Sequence, residues 1–245
     1  MIRLDAATVM LQWSVGGLGF LWFTTRRHVA GRGYGMLLRI VYGIFALATV
    51  VLGWRYGVVW VREISAVAVA IASFALVVNT KSRLDLIAPL VGIPGVIAGA
   101  IASADGASSV TVALLRVLVG TAFLGAVSDA MLLGHWYLVQ PGMPRKLLNE
   151  LTTAVIWTWP LEVAVLLLPT GMVSVLNGTI DDGWDGVLGW FWVASAVVTG
   201  VLAFTTRAAL REKSYSAVMA ATGLMYLAIL TAFCTDIVAR ALLAA

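Results

Sequence analysis

From Leu86 to Ser103 the chain reads LIAPLVGIPGVIAGAIAS, eighteen residues without one charge, and Val187 to Thr206 is equally uncharged. Such runs match the roughly 30 Å hydrocarbon core of a bilayer when wound as a helix. Their lack of strand alternation excludes a barrel, and in lipid only a helix satisfies its own backbone otherwise. With 61% hydrophobic and 11% charged residues over 245 positions, a water-soluble globule could not cover its surface. The fold class expected is therefore all-α: a polytopic integral membrane protein of about eight transmembrane helices in four hairpins, as a single transmembrane domain over residues 1–245.

The eight spans expected cover residues 7–25, 37–53, 64–78, 86–103, 109–139, 147–176, 187–206 and 216–239. Basic residues alternate between the connectors. Eleven of the sixteen fall after odd-numbered spans, among them Arg26, Arg27, Arg32, Arg39, Arg145, Lys146, Arg207, Arg211 and Lys213. Arg3, Arg55, Arg62, Arg240 and the acidic TIDDGWDG loop fall opposite. The positive-inside rule then puts the protein in the cell membrane with both termini outside the cytoplasm. The first apolar run lacks a small-residue cleavage site and is expected to remain as a span.

Phe23–Tyr34 (FTTRRHVAGRGY) and Phe204–Tyr215 (FTTRAALREKSY) repeat one junction. Each copy has a basic residue six positions after its Arg and a Tyr eight positions after. A shift of six spans preserves orientation, as in a parallel internal repeat. Coincidence is one alternative. Another is a locally selected lipid-headgroup junction, made by Arg26, Arg32, Tyr34, Arg207, Lys213 and Tyr215.

Ionisable residues within spans are costly unless paired, which marks them as functional candidates. Arg116, Asp129 and Glu162 lie in the fifth and sixth spans, with His135 and Glu150 nearer the basic ends. In an antiparallel hairpin Asp129 and Glu162 differ by about five residues in depth, roughly 7–8 Å. If they converge they form a proton-binding site. Otherwise each bonds separately to Arg116, an indole or a carbonyl. Pro160 in WTWPLE kinks the sixth span just before Glu162, and Pro169 ends or bends it again. The stretch GHWYLVQPGMP offers His135, Trp136 and Tyr137 as a rim for a quinone headgroup, or as an ordinary interfacial belt.

A quinone is thus the cofactor class considered. Haem is disfavoured because His28, the only second histidine, follows Arg26 and Arg27 at a helix exit. No metal site is expected, and Cys234 stands alone. Gly92, Gly95 and Gly99 suit close helix packing. No nucleotide-binding or hydrolase motif appears, so no intrinsic catalytic activity is expected. The partners expected are membrane lipids and other membrane subunits, not nucleic acid. The leading functional expectation is a membrane subunit of a larger complex, respiratory or quinone-associated, with a proton-handling site. A small proton-coupled secondary transporter is the alternative, and a scaffold or assembly factor without a site is the third.

Overall fold

The computed structural model describes residues 4–78, 81–104 and 107–243. Among them there is no strand. The helices are α1 (Ala6–Thr25), α2 (Arg32–Tyr56), α3 (Trp60–Ala75), α4 (Ile87–Ala102), α5 (Ala107–Val139), α6 (Lys146–Leu167), α7 (Gly171–Leu176), α8 (Val187–Ala209) and α9 (Tyr215–Leu243), with a 3-10 turn at Ser82–Leu86 before α4. Seven of these segments are long and apolar enough to cross a membrane. The eighth long helix, α3, has only 16 residues and begins with the charged pair Arg62 and Glu63. The protein is a polytopic α-helical membrane protein of about eight long helices.

The expected sixth span, 147–176, is not one helix. Pro160 is accommodated inside α6, but α6 stops at Leu167. Leu168 is extended (φ −83°, ψ 149°), the conformation that a following proline imposes. Pro169 also lacks the N–H that would continue the ladder. The chain restarts at Gly171, whose φ is +38°. A Cβ there would lie 2.1 Å from the Leu166 carbonyl oxygen, so only glycine fits.

Unlike a water-soluble protein the bundle is apolar on its outside, and it encloses its polar groups within a largely apolar core. Ile71 and Leu230 are each 64% exposed, whereas Gln12, Ser14, Asp129, Glu162, Thr199 and Asp236 are fully enclosed. This inversion follows from the solvent: lipid accepts the aliphatic side chains, and polar groups must find partners inside. Helix α1 sits at the centre, packed against α2, α4 and α5, while α5 also carries α6 and α9. Close approach depends on glycine. A Cβ at Gly16 would come 1.9 Å from the Thr121 carbonyl oxygen, and one at Gly125 would come 2.3 Å from the Gly16 carbonyl carbon. The Gly92, Gly95 and Gly99 stripe of α4 meets Val15, Leu11 and Thr8 of α1 in the same way. Its use is internal packing.

Arg39 does not lie in a connector, as the charge pattern suggested. It is buried in α2 and paired with Asp85 at 2.8 Å, and Asp85 also accepts from Thr25 Oγ1 at 2.7 Å. At the basic end, Tyr137 donates to the Pro144 carbonyl at 2.8 Å and pins the α5–α6 turn. Arg145 then donates to the carbonyls of Glu212 and Ser214, which ties this turn to the one between α8 and α9.

The α1–α5 contact gives a test. Gly125→Ala is expected to lower stability by about 1–3 kcal/mol, because backbone must move to admit the methyl. Gly19→Ala, on the open side of α1 with nothing within 4 Å of its Cβ, is expected to be neutral or slightly stabilising. Thermal melting of both variants in detergent measures the difference.

Candidate functional site

Asp129 and Glu162 are both enclosed, but the expected pair between them does not form. Asp129 points towards α2. Tyr42 donates to its Oδ1 at 2.5 Å and Tyr34 to its Oδ2 at 3.5 Å. The neighbouring Ser128 accepts from the Trp13 indole at 2.5 Å. Trp157 of α6, which an antiparallel α5–α6 hairpin turning near Gly142 would set at about the depth of Asp129, faces outwards at 70% exposure. The register gives depth along two helices but not the direction each side chain faces. Asp129 is a carboxylate whose acceptors are met by phenols.

Glu162 turns towards α9. It faces Asp236, with Arg240 and Arg116 as the nearby cations. Pro169 leaves the Val165 carbonyl without its ordinary i+4 donor, so that it accepts instead a long bond from the Leu168 N–H at 3.3 Å, and the Leu168 carbonyl lies just past the end of α6. Arg116 of α5 donates to both, through Nε at 3.3 Å and Nη2 at 2.5 Å. The stop in α6 therefore fixes a guanidinium one turn beyond Glu162. On α9, Asp236 and Arg240 are four residues apart and form an ion pair at 2.7 Å, which puts both on one helix face. Arg240 also donates to the Arg116 carbonyl at 3.0 Å.

Gly120 of α5 makes room for the meeting. A Cβ there would lie 2.3 Å from Gln12 Nε2 and 2.8 Å from both Arg240 Nη2 and Asp236 Oδ1. Gln12 of α1 thus joins the acids and guanidinia. Both amide atoms of Gln12, both carboxyl oxygens of Glu162 and Oδ2 of Asp236 are enclosed and have no hydrogen-bond partner among the described residues. Two facing carboxylates are acceptors only. A proton held between them turns one into a donor, and an amide can serve either role. The unused hydrogen-bonding capacity of the protein interior is concentrated here.

Beside this cluster lies a cavity of about 90 Å³, bordered by Asp5, Thr8, Arg116, Leu166 and Arg240. It sits at the end of the bundle where α1 begins and α9 ends. Asp5 caps α1 by accepting from Thr8 and is paired with Arg62 at 2.8 Å. Arg62 is also paired with Glu63 at 2.7 Å.

The other anticipated residues are scattered. Glu150 pairs with Arg27 at 2.9 Å at the basic end. His135 bonds the Tyr226 hydroxyl at 2.8 Å on the exposed outer face of the bundle. Trp136 donates to Gln140 at 3.1 Å and packs on Tyr34 at a centroid distance of 5.9 Å. Tyr137 is buried. Arg26 stacks over Trp22 and Phe23, and Arg32, Arg207 and Lys213 are exposed. The two junction tyrosines differ. Tyr215 is 50% exposed and suits a headgroup level, but Tyr34 is fully enclosed beside Asp129 and cannot contact a headgroup.

Sequence reasoning passed over Gln12, Tyr42, Asp236 and Arg240. Asp236 and Arg240 had a readable signal, an acid and a base one turn apart at the end of an apolar run. Gln12 and Tyr42 had none beyond polarity inside a span. The acidic loop also holds more than a solvated turn. Asp182 is enclosed and accepts from the backbone N–H groups of Trp184, Gly186, Leu188 and Gly189 ahead of and within the first turn of α8. Among the described residues, no group of three or more His, Cys, Asp and Glu side chains is placed to hold a metal ion.

The chain matches no protein-family model, and no curated protein or solved structure is significantly similar to it. Fold and site together define the class as a polytopic helical membrane protein with an enclosed cluster of acids and guanidinia.

Two measurements follow from these environments. Tyr42→Phe removes the short bond to Asp129 and is expected to cost about 1–3 kcal/mol in detergent melting. Burial pushes the Asp182 carboxyl up, but four backbone N–H groups outweigh it and hold its pKa below the ordinary carboxylate value. Its contribution is then complete above the unfolded pKa of about 3.9 and is lost as pH falls through the lower folded value. Asp182→Ala is expected to melt below the wild type at neutral pH, and the gap is expected to close under acid.

Proposed function

We propose that the chain is a small proton-coupled transporter of the cell membrane, with Glu162 and Asp236 as its proton-binding pair. The observation that carries this reading is the pair itself: two enclosed carboxylates facing one another, three of whose four oxygens have no donor. A static ion-pair network would meet its acceptors, as Asp129 is met by Tyr42 and Tyr34. Open acceptor sites beside Arg116, Arg240 and Gln12 suit a group that alternates between holding and releasing a proton. The adjoining cavity gives the pair a neighbour of molecular size at one end of the bundle. The surplus of basic residues at the opposite end supports an orientation with both termini outside the cytoplasm.

A second reading is a membrane subunit that contacts a quinone in a larger complex. The His135–Tyr226 pair favours it, being a polar pair on the lipid-facing surface. In that reading a quinone carbonyl competes for the Tyr226 hydroxyl or the imidazole. Trp136 and Tyr137 contribute less, since each already donates within the chain.

The transporter reading is tested with the purified chain in liposomes carrying a lumenal pH dye. Under an imposed pH gradient, with a panel of small solutes supplied in turn, the wild type is expected to move protons with at least one of them. Glu162→Gln and Asp236→Asn are each expected to fall to the level of protein-free liposomes. Asp129→Asn is expected to stay above them to the extent that it folds. Wild-type proton movement in both the Glu162 and Asp236 variants overturns the assignment. Quinone-dependent quenching of tryptophan fluorescence that is lost in His135→Ala supports the second reading instead.

A further inference from the structure

We infer that the cavity between Arg116 and Arg240 binds a small monovalent oxyanion, a short monocarboxylate or an inorganic oxyanion, which is taken together with the proton. The inference deepens the proton-site reading and rests on it.

Size sets the first limit, and it is a lower one. The cavity of about 90 Å³ is well above the roughly 10–15 Å³ that a single water needs, so an anion of a few heavy atoms fits. Chemistry sets the second limit. The walls are part apolar, with Leu4, Val117, Leu166 and Leu243, and part cationic, with Arg116 and Arg240. Each guanidinium has five N–H donors. Arg116 uses Nε and Nη2 on the Val165 and Leu168 carbonyls, and Arg240 uses Nε and Nη2 on Asp236 and the Arg116 carbonyl. Both Nη1 groups keep their donors unclaimed among the described residues. Among the described residues the one acid on the cavity wall, Asp5, is already held by Arg62 through both oxygens at 2.8 Å. It therefore opposes an anion weakly. Thr8 adds a hydroxyl, although it too is engaged with Asp5 at 2.5 Å.

Charge balance links the anion to the proton. Among the described residues, the charged groups that face this region are Asp5 of the α1 cap, Arg62 and Glu63 of α3, Arg116 of α5, Glu162 of α6, and Asp236 and Arg240 of α9. Glu162 and Asp236 balance Arg116 and Arg240, whereas Arg62 answers two acids, Asp5 and Glu63, so these groups together carry one excess negative charge until a proton is taken up. Each proton taken by the acid pair removes a negative charge that the two cavity arginines otherwise answer. Those arginines are then free to hold an external anion. By reciprocity, a bound anion favours the proton by the same factor. No bond is made or broken. A proton and an anion enter the site together and leave together, which moves no net charge.

The full chain in lipid nanodiscs is titrated calorimetrically with pyruvate, nitrate and the neutral acetamide, at about pH 6 and about pH 8, where both anions stay ionised. An anion is expected to bind more tightly at the lower pH, by roughly tenfold per pH unit where one proton is taken up with it. Acetamide is expected not to bind. Binding of pyruvate alone identifies a monocarboxylate, of nitrate alone an inorganic oxyanion, and of both a site selected by charge and size. Arg116→Gln is expected to abolish binding. So is Ala113→Leu, which fills the cavity from α5 without touching a charge and guards against a variant that merely misfolds. The Glu162→Gln, Asp236→Asn double variant is expected to bind the anion without pH dependence.

Acetamide binding as well as the anions, or wild-type affinity in both Arg116→Gln and Ala113→Leu, overturns the inference. So does the absence of binding by either anion. In that last case, proton movement in liposomes that still depends on Glu162 and Asp236 leaves the proton site standing without its anion. Loss of that dependence removes both.

Discussion

The contact between α1 and α5 at Gly16 and Gly125 is the constraint on which the remaining polar architecture depends. With no side chain at either position the two backbones meet directly. In lipid, close approach of this kind replaces the hydrophobic drive that packs helices in water. It also decides what α1 can reach. One turn towards its N-terminus, Gln12 arrives beside Gly120, Asp236 and Arg240. The next residue, Trp13, reaches Ser128, and Ser14 donates to the Tyr42 carbonyl at 2.7 Å. At the start of the helix, Asp5 and Thr8 meet Arg62. A single helix of modest apolarity thus supplies polar partners to α2, α3, α5 and α9. It can do so only because it is enclosed.

The two kinds of buried acid show how environment separates structure from chemistry. Asp129 and Glu162 are both fully enclosed, and both looked alike as charges within spans. Asp129 meets two phenol donors from α2 and has little left to offer a ligand. Glu162 meets another acid, with cations set to one side by the end of α6 and by α9. The proline that ends α6 is part of this difference. It exposes two carbonyls, those carbonyls hold Arg116, and Arg116 brings positive charge to the cluster and to the cavity beside it.

The duplicated junction illustrates what a local pattern can and cannot specify. In both copies Phe-Thr-Thr-Arg occupies the end of a helix, and the tyrosine opens the next one. That much was legible, because helix ends and basic connectors are read from neighbouring residues. The fates of the two tyrosines were not. Tyr34 enters the interior and supports Asp129, while Tyr215 stays half exposed and reaches the Tyr137 carbonyl at 3.4 Å. The first copy follows the central helix and the second follows a peripheral one, so the same letters meet different neighbours. The depth argument for Asp129 and Glu162 had the same limit: it used the rise along a helix and had no information about rotation.

Hydropathy, charge runs and proline are properties of consecutive residues. By themselves they determined that the chain is helical, that its long segments suit lipid, and about how many of them there are. The break at Pro169 also belongs there, since a missing N–H acts on its own turn of helix. Which acid would face another acid was decided only by the packed bundle. That outcome depends on the rotation of α6 and α9 about their axes and on the glycines that admit Gln12. Rotation is set by contacts between residues as distant in the chain as Gln12, Gly120 and Asp236, and a linear pattern holds no record of which distant helices become neighbours.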